Sequence, residues 1–323
     1  MIFLSIPKNG SSWRNSLLYE LDVEGDAPQD VEISILNTRS GEVLATQSLY
    51  GVSKCSVDIA PYVVEHVSLE PVVASVPTLR LSPSAISVTV MANGVASESR
   101  VFFRESFDAS VPKMLTYCRQ RQEVAAEDTI RITLFALSSV RAQILPITNG
   151  VASPLRVSVQ TGGMPVELVV PASVFGGKDK GFTIAAYCDN EQLPVLSYFV
   201  APKPSMAKSV VWYNTQGGIE SFTFRHAIRQ CLDVRSTSFD PEKFVVHRRV
   251  DSRLRYRMCT GCETTAEIER LMEVFLSPAI YRCDADGCRP LALINREVSF
   301  DANGNLHTLS LDVEQPWKGG AQW

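Results

Sequence analysis

Short runs of alternating apolar and polar residues, joined by glycine-containing turns, are the feature that most constrains this chain. Residues 31–35 alternate with a period of two, as the two faces of a half-buried strand require. Similar runs flank the pairs Asn93-Gly94, Asn149-Gly150 and Asn303-Gly304, and the run at 31–35 leads into a turn at residues 37–41. Asn-Gly favours a two-residue hairpin turn because both residues tolerate a positive φ angle. The pattern therefore predicts a mostly β protein built from antiparallel hairpins.

One stretch, residues 264–276, has the spacing of an amphipathic helix instead. Its apolar positions follow the i, i+3, i+4, i+7 pattern of one helical face: Ile268, Leu271, Met272 and Phe275. Thr264 and Glu267 have the spacing of a capping box, and Ser277-Pro278 is typical of a helix end. A shorter helix is predicted at residues 112–121.

The length of 323 residues is typical of two or three domains. The polar segment 103–112 follows a completed hairpin, and the proline-containing segment 201–204 has the composition of a linker. These breaks predict β-sandwich domains at residues 1–104, 105–203 and 204–323, each near the usual size of about 100 residues. The predicted fold class is mostly β: tandem antiparallel β-sandwich domains, with the amphipathic helix in the C-terminal domain.

Composition limits the classes of partner that the chain suits. A formal net charge of −4 predicts no general attraction to nucleic acids or membrane surfaces. No apolar run approaches the roughly 18 residues that a membrane-spanning helix needs. Residues 1–8 lack the basic segment and the long apolar segment of a signal peptide, so we expect a cytoplasmic protein.

The sequence contains no recognisable catalytic motif. The glycine- and lysine-rich segment 176–181 lacks the spacing and the final Lys-Ser/Thr of a P-loop, which favours a hairpin loop. The sequence also has no Gly-x-Ser-x-Gly elbow, His-Glu-x-x-His helix or GxGxxG turn. It therefore predicts no enzyme, no small-molecule substrate and no cofactor other than zinc.

Four clustered cysteines, Cys259, Cys262, Cys283 and Cys288, form the sharpest local motif. Four thiolates can hold one tetrahedral zinc ion, and the first pair has the spacing of a zinc knuckle. The residues between Cys283 and Cys288 suit a hairpin loop, which would place these two cysteines opposite each other. A cross-strand disulfide or free thiols would explain the same four residues, so the sequence leaves all three alternatives open.

Residues 225–257 form a basic segment in an acidic chain, with nine Arg or Lys residues and four Asp or Glu residues. At residues 253–258 arginine alternates with Leu, Tyr and Met, which predicts a strand with one arginine face and one apolar face. Binding of single-stranded nucleic acid would need aromatic side chains on the arginine face, and Tyr256 belongs to the other face. We therefore expect a solvated or subunit-facing sheet surface and no nucleic-acid partner.

Residues 210–224 contain a longer motif with a tryptophan, an asparagine, two glycines, a glutamate and two phenylalanines: Trp212, Asn214, Gly217, Gly218, Glu220, Phe222 and Phe224. The segment resembles the strand–turn–strand motif Trp-x-Asn-x-x-Gly-Gly-x-Glu-x-Phe-x-Phe of structural proteins encoded in phage and prophage tail regions. Residues 264–294 and 55–62 are similar to parts of the same proteins.

The resemblance implies a non-enzymatic structural or assembly subunit of a phage-like tail. Such a subunit is made in the cytoplasm and then incorporated into the virion, and its partners are protein subunits of the same assembly, including copies of itself. The alternative is a carbohydrate-binding or adhesion module on β-sandwich domains. That function needs an exposed aromatic platform, for which Trp13, Trp212 and Trp317 are the candidates.

Overall fold

The computed structural model describes residues 1–24, 27–148, 153–175, 180–202, 207–239, 246–261, 263–284, 287–295 and 306–316. The described chain is mostly β, with several antiparallel sheets and one short helix near its C-terminal end. The predicted fold class is therefore confirmed.

Among its described residues, the first third of the chain has ten strands and one short helix. They are β1 (Ile2–Ser5), β2 (Ser11–Ser12), β3 (Leu18–Asp22), β4 (Gln29–Asn37), β5 (Val43–Val52), β6 (Lys54–Asp58), α1 (Ala60–Val64), β7 (Thr78–Leu81), β8 (Ile86–Ala92), β9 (Val95–Ala96) and β10 (Arg100–Phe103). Sheet A has the order β1-β3-β6, and sheet B has the order β2-β10-β8-β4-β5. The two sheets enclose a core that includes Tyr19, Ile33 and Val88, each fully buried.

The described part of the middle third has nine strands and a short 3-10 helix at Ala172–Phe175. The strands are β11 (Lys113–Met114), β12 (Arg121–Ala125), β13 (Thr129–Phe135), β14 (Ser139–Pro146), β15 (Leu155–Gln160), β16 (Val166–Pro171), β17 (Gly181–Cys188), β18 (Glu191–Gln192) and β19 (Leu196–Ala201). Sheet C has the order β11-β13-β16-β7, and sheet D has the order β12-β19-β17-β14-β15. Ile132, Leu168 and Phe182 lie in the core between them.

Strand β7 belongs to sheet C although it lies early in the chain. It pairs antiparallel with β16, with Arg80 opposite Glu167 and Leu81 opposite Val166. A strand from the first third of the chain thus forms one edge of sheet C. The predicted domain limits near residues 104 and 204 stay a prediction.

In the last third, the residues that the structure describes form nine strands and α2. They are β20 (Lys208–Tyr213), β21 (Ile219–Phe224), β22 (His226–Phe239), β23 (Val246–Cys259), β24 (Glu263–Thr264), α2 (Thr265–Met272), β25 (Ile280–Asp284), β26 (Gly287–Leu293), β27 (Leu306–His307) and β28 (Ser310–Pro316), with a 3-10 turn at Glu273–Phe275. Sheet E has the order β21-β20-β25-β26-β28-β23-β22, and β24 pairs with β27. Helix α2 packs its apolar side against this sheet's core.

The helix predicted at residues 264–276 is present as α2 and the 3-10 turn that follows it. Ile268 and Leu271 are buried, whereas Phe275 is only half-buried. The predicted capping box does not form, because Thr264 makes no side-chain cap hydrogen bond. Glu267 instead forms an ion pair with Arg119, far along the chain.

The helix predicted at residues 112–121 is wrong. This segment contains the short strand β11 and then an irregular stretch that leads to β12. Its polar groups bond outward: Thr116 Oγ1 donates to the carbonyl of Ile219, and the Tyr117 amide donates to Glu220. Contacts with β21 therefore outweigh the local helical preference of the segment.

The Asn93-Gly94 hairpin is confirmed. Asn93 and Gly94 have φ angles of 46° and 81°, as a turn of this kind requires, and they join β8 to β9. The turns predicted at Asn149-Gly150 and Asn303-Gly304 lie outside the described residues, as does most of the 176–181 loop.

Candidate functional site

The structure pairs two of the four cysteines of the predicted zinc motif. Cys283 on β25 lies directly opposite Cys288 on β26, and the two form a disulfide with their Cα atoms 4.2 Å apart. Cys259 ends β23, where its Sγ lies 3.2 Å from the Ser310 hydroxyl oxygen. Cys262 lies outside the described residues. Within the described ranges no group of three or more potential metal ligands converges, and the four-thiolate zinc site stays a prediction.

Strand β23 has the two faces that its sequence predicts. Leu254, Tyr256 and Met258 are buried in the core, while Arg253 and Arg257 are exposed on the opposite face. The pleat alone produces this separation, because successive side chains of a strand point to opposite sides.

The arginines at positions 253, 255 and 257 each have an acidic partner on a neighbouring strand: Arg253 with Glu314, Arg255 with Asp233, and Arg257 with Asp312. The Arg257–Asp312 pair is bidentate, with two hydrogen bonds of 2.7 Å. Exposed pairs of this kind contribute about 0–1 kcal/mol each to stability. Their larger consequence is that they neutralise much of the arginine face.

The motif at residues 212–224 connects three groups of sheets: A with B, C with D, and E. We call this motif the joint. The turn between β20 and β21 holds Asn214, which is 1% exposed. Its side-chain amide donates to the Leu115 carbonyl at 2.8 Å and to Glu220 at 2.9 Å, and its oxygen accepts the Gly218 amide at 2.8 Å. Arg104, at the end of the first third, donates to the Asn214 carbonyl at 2.8 Å. One turn therefore bonds to chain segments from all three thirds.

The two glycines of the motif allow this close approach. A Cβ atom on Gly218 would lie 2.2 Å from the Leu115 carbonyl oxygen. Gly217 has a φ angle of +82°, and a Cβ atom there would lie 2.5 Å from the Phe103 ring. A side chain is therefore excluded at Gly218 by Leu115 and at Gly217 by Phe103.

Two threonines extend the joint from the turn to sheet C. The Ile219 amide donates to Thr133 Oγ1 at 2.9 Å, and Thr116 Oγ1 donates to the Ile219 carbonyl at 2.8 Å. Ile219 is fully buried, so these hydroxyls satisfy backbone groups that would otherwise lack partners.

A chain of buried charges continues from Glu220 into α2. Arg270 donates to Glu220 at 2.9 Å and also pairs with Glu267, which in turn pairs with Arg119. Burial raises the pKa of Glu220 to about 7, against the opposing effects of Arg270 and of the hydrogen bonds to the carboxylate. Removing one partner from such a network is costly because it leaves another charge buried and unpaired.

A second group of charges is buried on sheet C. Arg131 and Glu167 are 3% and 1% exposed, and Glu167 lies 3.7 Å from Arg80 and accepts a 2.8 Å hydrogen bond from Ser82. Burial lowers the pKa of Arg131 to about 10 and raises that of Glu167. Arg131 also contacts the Sγ atom of Cys288 at 3.9 Å, so sheet C touches the disulfide hairpin.

A cleft of about 290 Å³ lies beside the joint, between sheets C and E. Its walls include Asp128, Glu220, Glu267 and Arg270, and also Arg119 at its edge. Four of these groups pair in the chain Glu220–Arg270–Glu267–Arg119, and Asp128 accepts hydrogen bonds from Ser209 and Thr223. These contacts link the two sheets, whereas Arg131 in the same cleft wall has buried Nε and Nη1 atoms without a hydrogen-bond partner among the described residues.

Two of the three tryptophans considered for a glycan platform are core residues. Trp212 is 0% exposed, and Trp13 is 8% exposed with its indole N–H bonded to the Ser84 carbonyl. Neither can stack on a sugar in this conformation. Trp317 lies outside the described residues.

Strands β22 and β23 form a long hairpin that we call the arm. On β23, strand β28 pairs with residues Arg253–Cys259 and with no others that the structure describes. The six β22–β23 pairs beyond this stretch run from Val234–Ser252 to Phe239–Val246, and no third described strand lies beside them. Six residue pairs correspond to about 20 Å of two-stranded ribbon. Strand β22 is the last strand of sheet E, so its outer backbone edge is free of any described strand.

The sequence motif located the joint but did not reveal its role. Asn214, Gly218 and Glu220 were visible as a motif, whereas their partners Leu115 and Arg104 carry no sequence signal that connects them to it. The arm was signalled only by the basic composition of residues 225–257.

No protein-family model matches the chain, and no curated protein sequence matches it significantly. In the part of the chain that the structure describes, no helix has the length and apolar character needed to cross a membrane.

Proposed function

We propose that the protein is a non-enzymatic structural subunit that assembles with copies of itself or with other proteins into a phage-like tail or a related particle. The arm is the observation that carries this proposal. It is a two-stranded ribbon whose outer strand, β22, has an open backbone edge, and it belongs to a chain whose sheets are bonded to one another. Open strand edges readily pair with other chains, and natural monomers usually protect them.

Two further features support this function. The joint at Asn214 bonds the three groups of sheets to one another, which suits a subunit that must keep a fixed shape in an assembly. The segment 210–224 that forms the joint is also the segment that resembles structural proteins of phage tail regions. Assembly would place the protein in the virion after its synthesis.

The direct test is the oligomeric state across concentration. Size-exclusion chromatography with light scattering, from about 1 to 100 μM, should show association into rings or filaments, and electron microscopy should give their symmetry. A strict monomer that binds one class of glycan selectively on an array would contradict the proposal and establish the adhesion module instead.

A further inference from the structure

Four side chains form a row across sheet E and line the cleft between sheets C and E. Each residue of the row lies directly opposite the next on a neighbouring strand: Thr223, Ser209, Cys283 and Cys288. The two hydroxyl groups donate hydrogen bonds to Asp128, which directly precedes β13 of sheet C. The two cysteines form the disulfide, and sulfur carries no charge there and accepts hydrogen bonds only weakly. One end of the row thus bonds firmly to sheet C, whereas the other end offers it only sulfur.

Arg131 of β13 lies at the sulfur end of the row. Its Nη2 atom is 3.9 Å from the Cys288 sulfur, and its Nε and Nη1 atoms have no hydrogen-bond partner among the described residues. The residue is 3% exposed, so bulk water does not replace the missing acceptor. Glu167 is the carboxylate whose charge acts on Arg131, but it lies beside Arg80 and is hydrogen-bonded to Ser82. Because a buried cation with unused donors is costly, Arg131 is short of an oxygen acceptor.

The other buried polar groups of the cleft wall have the same bias. Arg225 pairs with Glu123 through Nη1, while its buried Nη2 atom has no partner among the described residues. Together with the two atoms of Arg131, three buried side-chain atoms of the described wall lack a hydrogen-bond partner, and all three are arginine nitrogens. A ligand that completes this wall must therefore bring acceptors.

Charge and size narrow the class of ligand. Seven Asp or Glu residues and four Arg residues line the cleft, and this excess of acid repels a dianion such as phosphate more strongly than it repels a monoanion. The volume of about 290 Å³ is at the lower end of the range for small-molecule sites. Val73, Val211 and Phe222 supply apolar surface in the same walls. A single carboxylate on a short apolar stem meets all three conditions.

We propose that this cleft binds a carboxylate on a short apolar stem, with the carboxylate held by Arg131 and the stem against the apolar part of the wall. The bound group would give Arg131 charge-assisted hydrogen bonds, which are about twice as strong as neutral ones. The carboxylate belongs either to a small molecule or to the C-terminal end of a peptide, since both present the same group. This inference does not depend on the proposed assembly.

Isothermal titration calorimetry at neutral pH tests the site with three probes. Butyrate represents the free small molecule, N-acetyl-Ala-Val represents the end of a peptide, and butyramide is the uncharged control for butyrate. Arg131→Met removes the donors but keeps an unbranched side chain. The matched control is Arg141→Met, which changes an arginine of β14 that is hydrogen-bonded to Asn190 outside the cleft.

We expect at least one of the two carboxylates to bind the parent and Arg141→Met equally, and to bind Arg131→Met at least tenfold more weakly. Butyramide should not bind. Tighter binding of the peptide would identify a chain terminus as the source of the carboxylate, and tighter binding of butyrate would identify a small molecule. Equal binding of the carboxylate by Arg131→Met and the parent would overturn the site.

Nuclear magnetic resonance of the arginine Nε–H groups gives a readout on the parent protein, so the test holds even where Arg131→Met does not fold. The Nε–H signal of Arg131 should shift on addition of the carboxylate and should stay in place with butyramide. A spectrum that neither carboxylate changes would overturn the proposal. Light scattering tests assembly separately, so a failure of this site leaves the proposed function intact.

Discussion

The side-chain amide of Asn214 donates a 2.9 Å hydrogen bond to the carboxylate of Glu220, six residues further along the chain. This bond closes the turn between β20 and β21 and presents Glu220 to Arg270 on α2. The same amide reaches the Leu115 carbonyl, so a single side chain fixes the turn and its neighbour.

Asn214→Ala should lower the free energy of unfolding by about 3 kcal/mol, because it leaves several buried polar groups without partners at about 1–3 kcal/mol each. Urea unfolding followed by fluorescence measures this. Gln216→Ala, on the exposed side of the same turn, should change stability by less than about 0.5 kcal/mol. Equal losses in the two variants would contradict a central role for Asn214.

Gly218→Ala should destabilise by about 2 kcal/mol or more, since the new Cβ atom would lie 2.2 Å from the Leu115 carbonyl oxygen and force the two segments apart. Hydrogen exchange at residues 115–119 should accelerate. Ser221→Ala on the following strand serves as the control, and unchanged exchange in Gly218→Ala would show that the joint tolerates a side chain.

The raised pKa of Glu220 predicts a pH dependence with a definite sign. Because the folded protein holds this proton more tightly than the unfolded chain, the stabilising contribution is complete below pH 4.5 and is lost as the pH rises through about 7. The rise in pKa from 4.5 to about 7 corresponds to about 3 kcal/mol. Unfolding at several pH values should therefore show a downward slope that is shallower in Glu220→Gln than in the parent. Parallel slopes would contradict the assignment.

Leu271 in α2 and Phe275 in the 3-10 turn that follows should differ in their effect on stability. Leu271 is 1% exposed, so Leu271→Ala should destabilise by about 2–5 kcal/mol. Phe275 is half-buried, so Phe275→Ala should have a smaller effect than a fully buried phenylalanine would. Thermal unfolding of both variants measures the difference, with the exposed Glu269→Ala as control. A larger loss of stability in Phe275→Ala than in Leu271→Ala would place the helix differently on sheet E.

The cysteine cluster has a chemical test. We expect peptide mapping without reductant to recover a Cys283–Cys288 linkage, and reductant rather than chelator to lower the melting temperature. One equivalent of bound zinc by mass spectrometry, with a melting temperature that falls on chelation, would instead establish the four-thiolate site that the sequence predicts.

Local patterns decided the features that depend on neighbours in the chain. The alternation at residues 253–258 was sufficient to separate the arginines from Leu254, Tyr256 and Met258, because the pleat is a property of every strand. Asn93-Gly94 was sufficient for its hairpin for a similar reason: the preference for a positive φ angle belongs to the residues themselves.

Tertiary structure alone decided the features that depend on distant residues. Strand β7 completes sheet C by pairing with β16, and Glu267 bonds to Arg119 across 148 residues rather than capping its own helix. Residues 112–121 likewise form no helix, and β21 supplies the hydrogen-bond partners of Thr116 and Tyr117. Local preference differs between conformations by less than a kilocalorie per residue, so burial and hydrogen bonding between distant segments determined these outcomes, and no short stretch of sequence contains them.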